Sequence, residues 1–180
     1  DEFNSDIYLS RLENNRWATP KKLNKNINSR DHETFASLST DGKTIYFVSD
    51  RKGGFGGLDI YKSTFNEKEN DWGEAINLGR EVNTPFNEET PIMCEDGKTL
   101  FFSSQGHYNM GGFDVFYTEN IEGNVWAEPV NMGYPVNSTD DNLFYFPLNN
   151  GKKAYISKYD QNGFGQEDIV MLELNNSAKR

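Results

Sequence analysis

The chain is predicted to be all-β, a tandem array of four-stranded antiparallel sheets, because three landmarks keep one register. An Asp followed by an apolar residue recurs at Asp6, Asp59, Asp114 and Asp168, at intervals of 53, 55 and 54. A Trp recurs at Trp17, Trp72 and Trp126, at intervals of 55 and 54. A turn triplet recurs as Asp41-Gly42-Lys43, Asp96-Gly97-Lys98 and Asn150-Gly151-Lys152, again 55 and 54 apart. A fixed period of this size copies one supersecondary unit, and each copy buries its apolar surface against the next.

The middle copy supplies each strand in turn. Residues 89–94 form a short strand a. Asp96-Gly97 signals a hairpin, with positive φ expected at both central residues. Residues 99–104 form strand b, followed by a Gly-rich loop over 105–112. Strand c spans 113–118, and a polar loop leads to strand d at 126–132. Pro129 makes d an edge strand, since proline cannot donate to a ladder on both sides. Strand b recurs at 44–49 and 153–158, and strand c at 58–61 and 167–171. No segment carries a 3.6-residue apolar period. Four antiparallel strands per repeat, with an outer edge strand, describe a β-propeller blade. The expected divisions of one domain are 5–23, the end of one blade, then blades at 34–78 and 89–132, and an incomplete blade at 143–174. These thirteen strands make three and a quarter blades, against the typical four to eight of a closed propeller. Two readings follow: an excerpt of a longer propeller, which is preferred, or closure through another copy of the chain.

The bulk composition agrees. Aromatics make up 14% of the 180 residues, with 13 Phe and 9 Tyr, which suits an aromatic, β-branched core. A net charge of −10 argues against a nucleic-acid or anionic-membrane surface. Cys94 is the one cysteine, so no intrachain disulfide can form. Its apolar setting predicts a packed thiol. No apolar run is long enough to insert in a membrane, and no signal peptide is seen.

Residues 38–51, then Gly53-Gly54 and 58–61, resemble the WD40-like PD40 repeat of TolB-type propellers. The second copy matches through 96–104 and 111–116. The third departs: Asn150 replaces Asp, and Glu167 precedes Asp168 where an apolar residue is usual. The linker Trp72-Gly73-Glu74-Ala75-Ile76-Asn77-Leu78-Gly79, followed by Val82-Asn83-Thr84, is similar to that of Bacteroidetes envelope propellers. Some of those accompany tetratricopeptide and OmpA-like peptidoglycan-binding domains or belong to the type IX secretion apparatus. The resemblance implies a periplasmic, outer-membrane-associated protein-interaction module that is not an enzyme and uses no cofactor. It is specific for the fold and leaves function open.

Chain reversal at every turn puts the b–c and d–a loops at one end of the sheets. Loops on a rigid scaffold carry binding residues, and aromatics, Met and Arg are enriched at interfaces. Arg51, Phe55, Tyr108, Met110 and Phe164 are therefore the candidate partner contacts. The alternative for Phe55, Met110 and Phe164 is to plug loops between blades. Asp59, Asp114 and Asp168 occur once per blade, so they are expected to accept hydrogen bonds from the Gly-rich loops rather than to catalyse. Trp17, Trp72 and Trp126 are likewise structural repeat positions. Asn28, Asn83 and Asn137 are expected in side-chain turns. Asp140-Asp141 and Glu88-Glu89 are expected to be solvated acids. His32 and His107 suggest no zinc site, so no metal is expected. Gly53 to Gly57 lack the helix that a phosphate cradle needs. A glycan-binding or glycosidase-type propeller is the competing function. It would require two carboxylates about 5–10 Å apart flanking the sugar.

Overall fold

The computed structural model describes residues 4–159, 163, 165 and 167–173. All regular structure among them is antiparallel β-sheet. Among the described residues no helix is long and apolar enough to cross a membrane.

A leading unit holds β1 (Tyr8–Leu9), β2 (Leu12–Glu13), β3 (Arg16–Trp17) and β4 (Lys21–Lys22), with β1 paired to β4 and β2 to β3. The first full repeat holds β5 (Glu33–Leu38), β6 (Thr44–Ser49), β7 (Asp59–Asn66), β8 (Asp71–Trp72) and β9 (Ile76–Asn77). The second holds β10 (Glu88–Met93), β11 (Thr99–Ser104), β12 (Asp114–Glu122), β13 (Val125–Trp126) and β14 (Val130–Asn131). The third holds β15 (Phe146–Leu148), β16 (Lys153–Lys158) and β17 (Asp168–Glu173). In both complete repeats the order is a-b-c-d, with the third strand paired to both halves of the fourth.

The fourth strand was expected to be continuous over 126–132, but it is split. Residues 73–75 and 127–129 leave the ladder, and Pro129 has no N–H to give it. A hydroxyl on the third strand fills each gap. Ser63 Oγ donates to the Gly73 carbonyl at 2.7 Å, and Thr118 Oγ1 to that of Ala127 at 2.6 Å. Ser10 does the same to Ala18 in the leading unit.

The a–b turns also differ from the two-residue type I′ expectation. In the first two repeats only Gly42 (φ 68°) and Gly97 (φ 67°) have positive φ within the turn. Each hairpin has a four-residue loop, closed by Ser39 N to Thr44 O and by Cys94 N to Thr99 O, both 2.8 Å. The Asp carboxylate caps that loop instead of entering the left-handed region. Asp41 Oδ1 accepts from Lys43 N, and Asp96 Oδ1 from Lys98 N and Thr99 N.

Alternation along the strands builds three cores between four sheets. On β6, Ile45 and Phe47 face the leading unit and join Ile27, Tyr61 and Trp72. Tyr46 and Val48 face the other way and join Ile60, Leu100, Phe102, Phe116 and Trp126 of the junction with the second repeat. Phe101, Val115, Tyr145, Ala154 and Ile156 fill the junction with the third. Cys94 is a buried free thiol in that last core, and its pKa is raised by desolvation. Each fully buried large side chain contributes about 1.5–3 kcal/mol, so the sheets are held mainly face to face.

The first strand of each complete repeat carries a residue in the left-handed region, Phe35 (φ 35°) and Thr90 (52°), and Phe144 (59°) takes the same conformation just before β15. Such a backbone costs about 1–2 kcal/mol for an L-residue. In the first two repeats it coincides with a register shift in the ladder. It brings Phe35 and Phe144 edge to face at 5.5 Å. Strand β5 of the first repeat thus touches the segment that leads into β15 of the third, although the second repeat lies between their sheets.

Candidate functional site

The b–c and d–a loops lie together at one end of the sheets, and buried polar groups at repeat positions hold them there. The first device is an asparagine clasp. Asn83 Oδ1 accepts from Ile60 N at 2.8 Å, and its Nδ2 donates to the Ile60 carbonyl at 2.9 Å and to Asn77 Oδ1 at 2.8 Å. Asn137 repeats this on Val115 and Asn131. Asn28 does so on Ile7, with the Leu23 carbonyl as third partner. These residues were expected to make local turns. Instead each amide stands in for a strand residue, pairing with both backbone groups of a third strand more than twenty positions away.

The repeated Asp completes the clasp. Asp59 accepts from Asn77 Nδ2 at 2.8 Å and from the loop N–H groups of Phe55 (2.6 Å) and Gly56 (3.0 Å). Asp114 accepts from Asn131 Nδ2 at 2.9 Å and from Met110 N at 2.6 Å. This is the loop-anchoring role expected of them. Asp168 keeps the register place opposite Lys158, but most of the loop before it lies outside the described residues. In the leading unit Lys22 replaces the asparagine and reaches Asp6 at 2.7 Å.

Twin glycines admit the next loop. A Cβ on Gly56 would stand 2.1 Å from the Phe86 carbonyl oxygen, and one on Gly111 2.5 Å from that of Asp140. The Gly-rich loops are thus seats for the d–a loop that follows.

Glu33 and Glu88 form a third device, missed in the sequence. Glu88, expected to be solvated, is fully buried. It accepts from Thr84 N, Thr84 Oγ1 and Ser104 Oγ at 2.6–2.8 Å. Glu33 accepts from Ser29 N, Ser29 Oγ and Ser49 Oγ in the same geometry. A Ser or Thr four residues before a Glu, repeated 55 apart, was the signal available. Desolvation raises the Glu88 pKa, against the opposing hydrogen bonds. A carboxyl with a raised folded pKa holds more protons folded than unfolded, so stability falls as pH climbs from the ordinary carboxylate value through the folded one. Glu88→Gln should flatten that fall. Urea midpoints at pH 5 and pH 7 should converge in the variant relative to the parent.

Arg51 belongs to this interior rather than to a contact surface. Its guanidinium donates to Ser49 Oγ (3.0 Å), the Asn26 (3.1 Å) and Ile27 carbonyls and Glu33 Oε1 (3.2 Å). It also lies over the rings of Phe47 and Tyr61 at 5.0 and 4.9 Å. His107 fills the same niche in the second repeat, against Phe102 and Phe116, with Nε2 donating to the Val82 carbonyl at 2.9 Å. In the third, Lys158 reaches the Pro135 carbonyl at 3.3 Å. A side-chain N–H donor at or just past the end of the second strand thus reaches the preceding d–a loop three times.

What remains on the outside of this end is aromatic. Tyr108 is 95% exposed and Tyr134 80%, and Phe55, Phe86, Met110 and Tyr159 are also exposed. Arg80 lies over the Phe55 ring at 5.9 Å, and Lys158 over Tyr134 at 5.8 Å. Phe55, Tyr108 and Met110 were expected here. Phe86, Tyr134 and Tyr159 were missed, although aromatics in short polar loops have little interior to enter. Phe164 lies outside the described residues. The described residues bring no three His, Cys, Asp or Glu side chains together as a metal centre. No family model matches the chain, and no curated protein matches it.

Proposed function

We propose that this chain is part of a β-propeller and works as a non-enzymatic protein-interaction module of a Gram-negative, Bacteroidetes-like cell envelope. It would sit in the periplasm, associated with the outer membrane, in a type IX secretion or OmpA-like peptidoglycan-linked assembly. The contact of Phe35 with Phe144 supports a radial arrangement of the repeats. The resemblance of the repeats to envelope PD40 propellers supports the location.

The observation that carries the docking role is the row of exposed aromatics on the loop end, over a buried polar frame that holds its backbone. Phe55, Phe86, Tyr108 and Tyr134 offer large rigid contact area at low entropic cost, and Met110 an adaptable one, the composition of protein interfaces. Capture from detergent-solubilised envelope checks this. The parent chain should retain a protein that a Phe55→Ala, Phe86→Ala, Tyr108→Ala, Tyr134→Ala variant loses by tenfold or more, with unfolding unchanged. Equal retention by both would reject the loop end as the docking site.

A glycan-binding or glycosidase reading has one observation in its favour. Asp140, Asp141 and Glu167 line a shallow cleft with Lys158 and Tyr159, and acids beside an aromatic suit a sugar. Hydrolysis of chromogenic glycosides, abolished by Glu167→Gln, would move the account to that reading.

A further inference from the structure

The a–b hairpin of the third repeat is closed differently from the other two. Lys152 N donates to the Asn149 carbonyl, so Asn150 and Gly151 are the two central residues of its turn. Asn149 (φ 50°), Asn150 (54°) and Gly151 (75°) lie in the left-handed region in succession. Positive φ at both central residues is the mark of a type I′ turn. The closing bond is 3.3 Å long, against 2.8 Å for the bonds that close the first two hairpins. Bonds of this kind normally lie at about 2.7–3.2 Å. Three left-handed residues in a row and one long hydrogen bond make this the least tightly closed of the three hairpins.

Position 150 also differs in its chemistry. Its counterparts Asp41 and Asp96 have carboxylates tied to N–H groups of their own loops. Asn150 is exposed, and its side-chain amide makes no hydrogen bond among the described residues. Gly151 N, at the centre of the turn, likewise donates to no backbone acceptor among them. An asparagine amide is open to attack by the following backbone nitrogen when that nitrogen belongs to glycine, which has no Cβ to shield it. Asn149 is exposed too, but the residue after it is Asn150, whose side chain crowds the nitrogen.

We infer that Asn150 is a site of spontaneous deamidation. Gly151 N attacks Asn150 Cγ, and the new N–C bond closes a five-membered succinimide. The amide nitrogen takes up the proton that Gly151 N gives up and leaves as ammonia. Water then opens the ring at either carbonyl, giving aspartate from one and isoaspartate from the other. Either product adds one negative charge to the chain's −10. The aspartate product restores the Asp-Gly-Lys triplet of the first two repeats. The isoaspartate product routes the backbone through the former side chain, which adds one methylene to the turn beside the Leu148–Lys153 pair. The hairpin lies at the end of the sheets opposite the docking loops, so the change leaves the docking proposal untouched.

Peptide mapping of the full chain during incubation at pH 8 and 37 °C tests this. The tryptic peptide carrying Asn150 should gain one mass unit and split into two isomers. Its rate in the native chain should lie within about threefold of that in the guanidinium-unfolded chain. Asn149 should stay intact over the same time, and Asn150→Gln, which would have to close a six-membered ring, should remove the mass gain. Asn162-Gly163 is the chain's other Asn-Gly pair, and cleavage at Lys158 puts it on a separate peptide. A native hairpin that protects Asn150 by more than about tenfold would overturn the inference. So would conversion of Asn149 as fast as that of Asn150, or a mass gain that persists in Asn150→Gln.

Discussion

Asn83→Ala should destabilise the chain by about 3–5 kcal/mol, one of its two most damaging single changes. The substitution leaves the Ile60 N–H without a partner and takes one donor each from the Ile60 carbonyl and Asn77 Oδ1, which keep only Leu78 N and Gly79 N. A buried polar group stripped of its partner costs about 1–3 kcal/mol. Asn83→Asp sharpens the test. The carboxylate still accepts from Ile60 N, but it faces the Ile60 carbonyl and Asn77 Oδ1 with no hydrogen to offer. It should therefore be at least as harmful as Ala, although it is nearly isosteric. Replacing Asn87, whose contacts lie nearer the surface, should cost about 1 kcal/mol. Urea midpoints at constant m-value measure all three. A loss below about 1 kcal/mol for Asn83→Ala would mean that the amide does not substitute for a strand residue.

Trp126→Ala should cost about 3–5 kcal/mol, in the range for removing a buried aromatic from a core. It empties the Tyr46 socket and the Lys62 cation–π contact. It also opens the junction core that contains Ile60, Leu100 and Phe116. Trp17→Ala, at the same repeat position, should change the stability of dilute protein by no more than about 0.5 kcal/mol, as expected for a surface site. One residue type at one register position thus gives opposite outcomes, because only one of the two has a sheet in front of it. Thermal unfolding of both variants decides the point. Similar losses in the two would contradict the three-junction account.

Strands b and c were legible because their apolar alternation and their Asp landmarks both follow the period. The anchoring role of Asp59 and Asp114 was legible for the same reason: a residue copied once per repeat serves the repeat. The split fourth strand was not. Its gap is bridged by Ser63 and Thr118 hydroxyls, which recur with the period but do not by themselves show which carbonyl they reach. The four-residue hairpin was hidden because Asp-Gly suits both a tight I′ turn and an Asp-capped loop closed by a left-handed Gly. Burial of Glu33 and Glu88 ran against the general exposure of acids. It becomes readable only when the Ser or Thr four residues earlier is seen to recur with it. Arg51 was assigned outward on residue type, whereas the ring pair of Phe47 and Tyr61 and the carbonyls of the preceding loop draw it in. The exposed positions at the loop end were only partly legible, since their side chains obey no repeat: Phe55 aligns with Met110, and Tyr108 with Gly53.

The central claim is that partners dock on the aromatic loop end. Photo-crosslinking from a benzophenone side chain placed at position 108, compared with one at position 69 in a turn at the opposite end, tests it most directly. In solubilised envelope, position 108 should yield a discrete protein adduct that is lost on Phe86→Ala, and position 69 should yield none. Adducts from position 69 alone, or equally from both, would contradict the assignment of the docking face.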